Sequence, residues 1–483
     1  MNRTRQILKK SAAAVLCASL ILSGSSTAFA AGSYQETEKA ALNKLTDGIP
    51  ETWDTYLENY KKSAAGSKSN MTLKVEDTGR ALIGALMGGT DVSWLQSISL
   101  DSNISIKDGV EAIVSSVLLN DNKLCDFNVY MDLANMMEYI QIPELSDSYM
   151  KAPVSSDSEE NSEEAQQFLN TYMTTLSDLT SVLPDSKTLS TLLDRYGNII
   201  IDSFEEGSSV EESVSVDGIS EECTAYEGII SEKSAYTIVE KVLTTAKDDE
   251  EIKALFDQWS DDASNEENQY KDFQNLITDA LDDMNRDDEG STENEAFSSK
   301  VWVNGDGKIV GRQFGITDGT DTTPVFTWKA PSEGEDSALL LELAADDSSF
   351  TFTGSGKTAD GLLNGDYILA VNGTETVDIN VENLETKPAK AGYYNGTFNI
   401  SFPAAETDSS DSEAGESTED DTDTSATDML VGFGAVIKLT SDADADTSTL
   451  DLTVTTSGAA LATLSITGCL LYTSPSPRDV EES

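Results

Sequence analysis

The chain has 483 residues, 24% of them charged and 38% hydrophobic, with a formal net charge of −56 and no histidine. Such a charge repels nucleic acid and anionic lipid headgroups, and the missing histidine excludes Ser-His-Asp triads and histidine-ligated zinc. The length suffices for two or three domains with real cores.

Residues 1–30 read as a secretory signal peptide. Arg3, Arg5, Lys9 and Lys10 form its basic region, Ser11 to Leu22 its apolar core, and Ala28-Phe29-Ala30 fits small-x-small cleavage. The apolar core is too short for a stable membrane anchor. Ala14-Val15-Leu16 before Cys17 lacks a lipobox pattern, so the expected product is soluble and exported, outside the cell or at its surface. Loss of the four basic residues moves the charge from −56 to about −60. Acid runs of this kind are expected to attract divalent cations weakly.

Residues 31–69 read as a helical segment: Thr37 to Leu45 and Thr52 to Lys62 are two short helices, broken by Gly48-Ile49-Pro50, and Ala64 to Ser69 is a small polar linker. A strand at Met71 to Val75 leads to a helical turn, Ala81 to Met87, closed by Gly88-Gly89. Gln96 to Ile142 then reads as a four-strand antiparallel meander. Ile98, Leu100, Ile104 and Ile106 alternate with polar residues, which predicts a buried and a wet face. Asp108-Gly109 turns the chain into Val110 to Leu119, apolar on both faces. Asn120-Asp121-Asn122 turns it again into an alternating strand through Cys125, Phe127, Val129 and Met131, and a last strand, Met136 to Ile142, stops at Pro143.

Ser155 to Glu164 is an acidic, serine-rich insert with nothing to bury. Phe168, Tyr172, Leu176, Leu179 and Leu183 then mark one face of a helix ended by Pro184. The next helix carries Leu189, Leu192, Leu193 and Tyr196. Strands at Val214 to Val216 and Cys223 to Ile230 precede a helix capped by Ser231, one capped by Asp248 with the stripe Ile252, Leu255, Phe256 and Trp259, and one through Tyr270, Phe273, Ile277 and Leu281. A further acidic loop spans Asp287 to Glu295. A hairpin follows, Val301 to Val303 and Lys308 to Arg312 around Asn304-Gly305-Asp306-Gly307, with Val325 to Lys329 beside it.

The fold class expected from these elements is α+β, a curved antiparallel sheet covered by amphipathic helices over 70–330, followed by a smaller all-β antiparallel domain over 331–468. That second domain holds strands at Ala338 to Leu343, Phe350 to Thr353, Tyr367 to Val371, Val377 to Val381, Val436 to Leu439, Leu450 to Thr455 and Ala459 to Ile466. Asn364-Gly365 and Asn395-Gly396 read as hairpin turns. An acidic low-complexity loop at 404–428 interrupts the domain. Residues 469–483 are set apart: Cys469 to Asp479, CLLYTSPSPRD, resembles the translation of a sequencing adaptor. The coding sequence is then expected to leave its frame near Gly468, and any membrane or wall anchor would lie beyond.

The candidate chemistry is thin. Gly354-Ser355-Gly356-Lys357-Thr358 ends like a phosphate loop, but Thr351 stands where the first glycine belongs. Ser148-Tyr149-Met150-Lys151 fits S-x-x-K without its partner motifs. Asp442, Asp444 and Asp446 begin like a calcium loop, but Thr447 and Thr453 occupy the required glycine and glutamate positions. Trp94, Trp302 and Trp328 are sugar platforms on one reading and core on the other. Cys125 and Cys223, both in predicted strands, are either a disulfide or two buried thiols. No residue is nominated as catalytic, cofactor-binding or metal-binding, and no cofactor is expected.

The meander, the strand ending Tyr226-Glu227-Gly228-Ile229-Ile230, the helices through Leu281 and the Val301–Arg312 hairpin together resemble exported bacterial half-barrel proteins of the LolA/LprG type. The order is also similar to exported proteins of Gram-positive gut anaerobes. The resemblance implies a sheet with helices on its concave side and transient binding of an acyl chain or lipoprotein. The chain departs from it in lacking a lipobox and in adding a β domain. The function expected is therefore a non-enzymatic exported binding protein that holds an apolar small molecule, a lipid or a lipidated partner between sheet and helices. Two alternatives stand beside it: a cell-surface interaction or structural protein with a filled core and a surface partner, and a carboxylate-based hydrolase.

Overall fold

The computed structural model describes residues 32–107, 110–132, 135, 137–153, 183–259, 263–287, 295–318, 321–345, 348–388, 393–403 and 431–470. The signal region, the Asp108-Gly109 turn, the acidic inserts at 155–164 and 404–428, and the residues after 470 lie outside them. So does the helix read through Phe168, except for Leu183.

The described chain is mixed, with six helices and antiparallel strands. It divides into two compact units, one built from Met1–Glu58 and Asp178–Thr353, the other from Asn59–Ser177 and Gly354–Ser483. The meander shares its unit with the C-terminal strands, and the helices after Pro184 share theirs with the 301–312 hairpin.

In the first unit the strands β7 (Glu205–Val216), β8 (Ile219–Ser231), β9 (Glu295–Asn304), β10 (Ile309–Asp318), β11 (Asp321–Lys329) and β13 (Asp336–Ala345) pair antiparallel in that order. A two-residue β12 (Ser332–Glu333) folds back on β13. Side chains alternate, so the sheet buries both faces. One carries Tyr226, Ile230, Val301, Val303, Ile309, Phe314 and Phe326 beneath Tyr34 and Ala41 of α1 (Tyr34–Ala65), Ile200 of α3 (Ser186–Ile201) and Ile238 of α4 (Glu232–Lys247). The other packs Val214, Cys223, Ala225, Trp302 and Val310 together.

Two helix predictions change. The α1 helix runs unbroken through Gly48-Ile49-Pro50, where two helices were expected. Its N-terminus is capped from a distance: the Glu206 carboxylate accepts both the Tyr34 and Gln35 amides at 3.0 Å. The α5 helix (Glu250–Trp259) is capped by Asp249, not Asp248, through the amides of Glu251 and Ile252. Ser231 caps α4 as expected, taking the Ser234 amide at 3.1 Å. The α6 helix (Ala263–Asp287) packs the rings of Tyr270 and Phe273, both tilted, against Phe256 of α5.

In the second unit, twelve strands pair antiparallel in one run: β6 (Met150–Pro153), β5 (Met137–Gln141), β4 (Asn122–Asp132), β3 (Val110–Leu119), β2 (Ser97–Lys107), β1 (Gly66–Val75), β20 (Ala459–Leu470), β19 (Thr447–Thr456), β18 (Phe433–Asp442), β17 (Gly396–Ser401), β16 (Thr374–Glu385) and β15 (Leu362–Val371). The strand β1 includes Gly66 to Ser69, most of the predicted linker, and it joins the meander to the C-terminal strands. Paired positive-φ residues turn the hairpins at Asn120-Asp121, Asp360-Gly361, Asn372-Gly373 and Ser457-Gly458. Asn364-Gly365 is not a turn but lies inside β15. The short α2 helix (Asp77–Leu86) packs on β20 through Gly79, where a Cβ would strike the Leu461 carbonyl.

Candidate functional site

The sheet of the second unit has two chemically different faces, set by alternation and register. Across β18, β19, β20, β1, β2 and β3 one face aligns the row Ile437–Leu452–Leu464–Leu73–Ile98–Leu119 and, beside it, Leu439–Leu450–Ile466–Met71–Leu100–Val117. The next row is made of small residues, Ser441–Ser448–Gly468–Ser69–Ser102–Ser115. Ile104 and Ile113 pair just beyond it. The small row therefore forms a shallow trough along one apolar wall, about 24 Å long across the six strands at the standard spacing, with a second apolar wall only at the Ile104–Ile113 pair, because β1 places Ser67 opposite Ile104. Ser102 and Ser115 share a hydrogen bond of 2.9 Å across its floor, so their polar atoms are partnered.

Exposure distinguishes this face from a core. Met71 is 44% exposed, Leu73 40%, Ile98 44%, Leu100 37% and Leu450 38%. The sequence placed Ile98 and Leu100 on a covered face and their polar neighbours in water. The alternation holds, but Ser99 is 6% exposed and Ser105 7%. Short hydroxyl side chains sink between longer neighbours in the middle of a sheet, and Ser99 is bonded there by Thr72 at 2.9 Å. Among the described residues of β18, β19, β20, β1 and β2, no charged residue stands on the apolar face. In a chain that is 24% charged, that face is set apart by composition as well as by geometry.

The opposite face carries Lys68, Asn70, Asp101, Asn103, Ser116 and Thr467, which line an open groove of about 460 Å³. Asn70 donates to Asp101, Ser116 donates to Asp126 at 2.6 Å, and the Thr449 and Thr467 hydroxyls meet at 2.8 Å.

The motifs singled out in the sequence fall elsewhere. Gly354 to Thr358 lies inside β14 (Ser348–Ala359), and a Cβ at Gly354 or Gly356 would press on Tyr367 of β15, so the glycines serve strand packing. Lys151 sits with its ammonium 5.4 Å from the Tyr139 ring centre. The Ser148 amide bonds to the Ser146 hydroxyl. Asp442 accepts the amides of Asp444 and Ala445 as a turn cap, Tyr393 donates to Asp446 at 3.1 Å, and no group of three metal-ligating side chains occurs among the described residues.

Trp302 is buried, donating to Glu212 at 2.6 Å, Trp328 packs against the first unit's core, and Trp94 is 57% exposed. Cys125 and Cys223 are both free thiols and fall in different units. Burial, with Glu221 beside it, pushes the Cys223 thiol up to about 12. Burial also raises the Glu111 carboxyl, whose register neighbours are Ile106 and Met131, not a second acid.

Among the described residues no helix is long and apolar enough to cross a membrane. No family model, no curated protein and no solved structure matches this chain.

Proposed function

We propose that this chain is a non-enzymatic, exported binding protein, and that the uncharged face of the second unit's sheet takes an acyl chain of a lipid or lipidated partner. The observation that carries the reading is the exposed, in-register pairing of Met71 with Leu100 and Leu73 with Ile98. A contiguous apolar face left in water marks an interaction site more often than it marks a defect. The serine and glycine trough favours a thin, extended occupant, because one residue row matches the breadth of a single hydrocarbon chain.

This moves the ligand from between sheet and helices, where the sequence put it, to a face of the meander and the C-terminal strands. The cell-surface interaction reading shares the same face. The width of the two apolar rows, six strands each, favours it as the second choice.

Native mass spectrometry of the purified full-length chain after incubation with lipid extract tests the proposal. A reproducible added mass that organic extraction identifies as lipid, absent in Leu100→Ser, is the expected result. A clean apo mass sinks the acyl-chain reading and brings the surface-interaction reading to the front.

A further inference from the structure

The groove on the polar face is independent of the apolar one, and its chemistry points to a different ligand. At about 460 Å³ it lies in the range of small-molecule sites, too large for isolated waters. Two rows cross it: Thr467–Asn70–Asp101–Ser116, polar throughout, and Lys68–Asn103–Val114, which ends on an apolar side chain. Three groups in these rows have unused capacity. Asn103 Oδ1 is buried with no hydrogen-bond partner. One Asp101 oxygen takes the Asn70 amide, and none of the described hydrogen bonds uses the other. The Lys68 ammonium has no ion-pair partner among the described residues, in a chain whose 31 basic residues face 87 acidic ones.

An occupant must therefore donate to Asn103 and Asp101 and accept from Lys68 within one short span. Val114 and the aliphatic parts of Lys68, Thr447 and Thr467 also face the groove, so an occupant must present carbon surface as well as hydrogen-bonding groups, and a purely apolar molecule would leave the ammonium, the carboxylate and Asn103 Oδ1 unanswered. An anion would meet Asp101 and the field of a chain at −56. A metal cation would meet one carboxylate beside an ammonium. A hydroxyl both donates and accepts at one atom, so a row of neutral hydroxyls satisfies all three groups.

We propose that this groove binds a neutral saccharide, held by Lys68, Asn70, Asp101 and Asn103. The groove holds no aromatic platform, so binding rests on hydrogen bonds and is expected to be weak, in the millimolar range.

The test is saturation-transfer NMR and calorimetry of the full chain with maltotetraose, cellotetraose, xylotetraose and chitotetraose at millimolar concentration. At least one should bind, and Lys68→Ala and Asn103→Ala should each weaken it by about tenfold, as expected for loss of a charge-assisted or buried hydrogen bond. Lys68 is exposed, so its truncation leaves folding intact if Asn103→Ala does not. Leu100→Ser on the opposite face should leave saccharide binding unchanged, which separates this site from the acyl-chain proposal. Absence of signal from all four sugars overturns the assignment, as does binding that survives both groove substitutions.

Discussion

The Ser190 hydroxyl donates to the Thr46 carbonyl at 3.0 Å, across 144 residues of sequence. Four residues beyond Thr46 stands Pro50, inside the continuous α1 helix. Proline has no N–H, so the carbonyl four residues back loses its helical partner. Ser190, on α3, supplies the missing donor. Ser190→Ala should then destabilise the first unit by about 1–3 kcal/mol, the typical range for leaving a buried polar group unpaired. In a Pro50→Ala background the new amide restores the helical bond, and the same substitution should have nearly no effect. Denaturant unfolding of the four proteins in the cycle checks this. Equal losses in both backgrounds would refute the compensation.

Glu38 and Arg312 form a buried ion pair in the first unit, with side chains 0% and 3% exposed. Beside it Glu38 Oε2 and two guanidinium nitrogens of Arg312 are buried without hydrogen bonds. Burial and the Glu38 charge raise the Tyr34 hydroxyl well above its usual range, so it stays a neutral phenol. Removing one partner strands a charge: Arg312→Met or Glu38→Leu alone should destabilise by about 3–5 kcal/mol. The double substitution should recover most of that loss, because the half-satisfied pair contributes little net stability. Thermal unfolding of the three variants decides it, and a double variant less stable than either single one would contradict the argument.

Asp249 joins α3 to α5, accepting from Arg195 and from Tyr196 at 2.8 Å while capping α5. Burial pushes its carboxyl up, but the hydrogen bonds from Arg195 and Tyr196 outweigh burial and hold it at about 2, below the ordinary 3.8. The ionised form is the one the fold prefers, so its contribution is complete above the unfolded value. It is lost as pH falls from about 4 through about 2. The difference in stability between the native chain and Asp249→Asn should therefore be about 2 kcal/mol at neutral pH and shrink toward zero on acidification across that window. Urea midpoints measured at pH 7, 4 and 2.5 would show it. A gap that stays constant would mean the carboxylate charge is not what stabilises the junction.

Local pattern made much of the secondary structure legible. The meander strands, the Val301–Arg312 hairpin, the Ser231 cap and the Gly88-Gly89 helix stop all lie where their residues predict. What was not legible is non-local. Gly66 to Asn70 is polar throughout and carries no alternation, yet it fills the centre of the sheet because Met71 and Leu73 anchor its register between β2 and β20. Its pairing with β20 joins Asn70 to Thr467, a contact no local period encodes. Pro50 breaks a helix by propensity, and only the distant Ser190 offsets the lost bond. The candidate site was half legible. Alternation marked Ile98 and Leu100 as one face, but whether anything covers a face is decided by elements far along the chain.

That last distinction gives a direct test of the apolar face. Truncating a packed core side chain typically costs about 2–5 kcal/mol, through lost transfer energy and the cavity left behind. Phe314, 6% exposed in the first unit's core, should fall in that class when changed to Ala. Leu100 at 37% and Met71 at 44% exposed already meet water, so part of their burial energy is never gained and no closed cavity forms on truncation. Leu100→Ser and Met71→Ser should each destabilise by less than about 1.5 kcal/mol while removing lipid binding. Their unfolding should also show a smaller dependence on added lipid than the native chain, because a ligand that binds only the folded state raises its stability by mass action. A loss above about 2 kcal/mol in the absence of lipid would mean that the face is already packed, and the acyl-chain reading would fall with it.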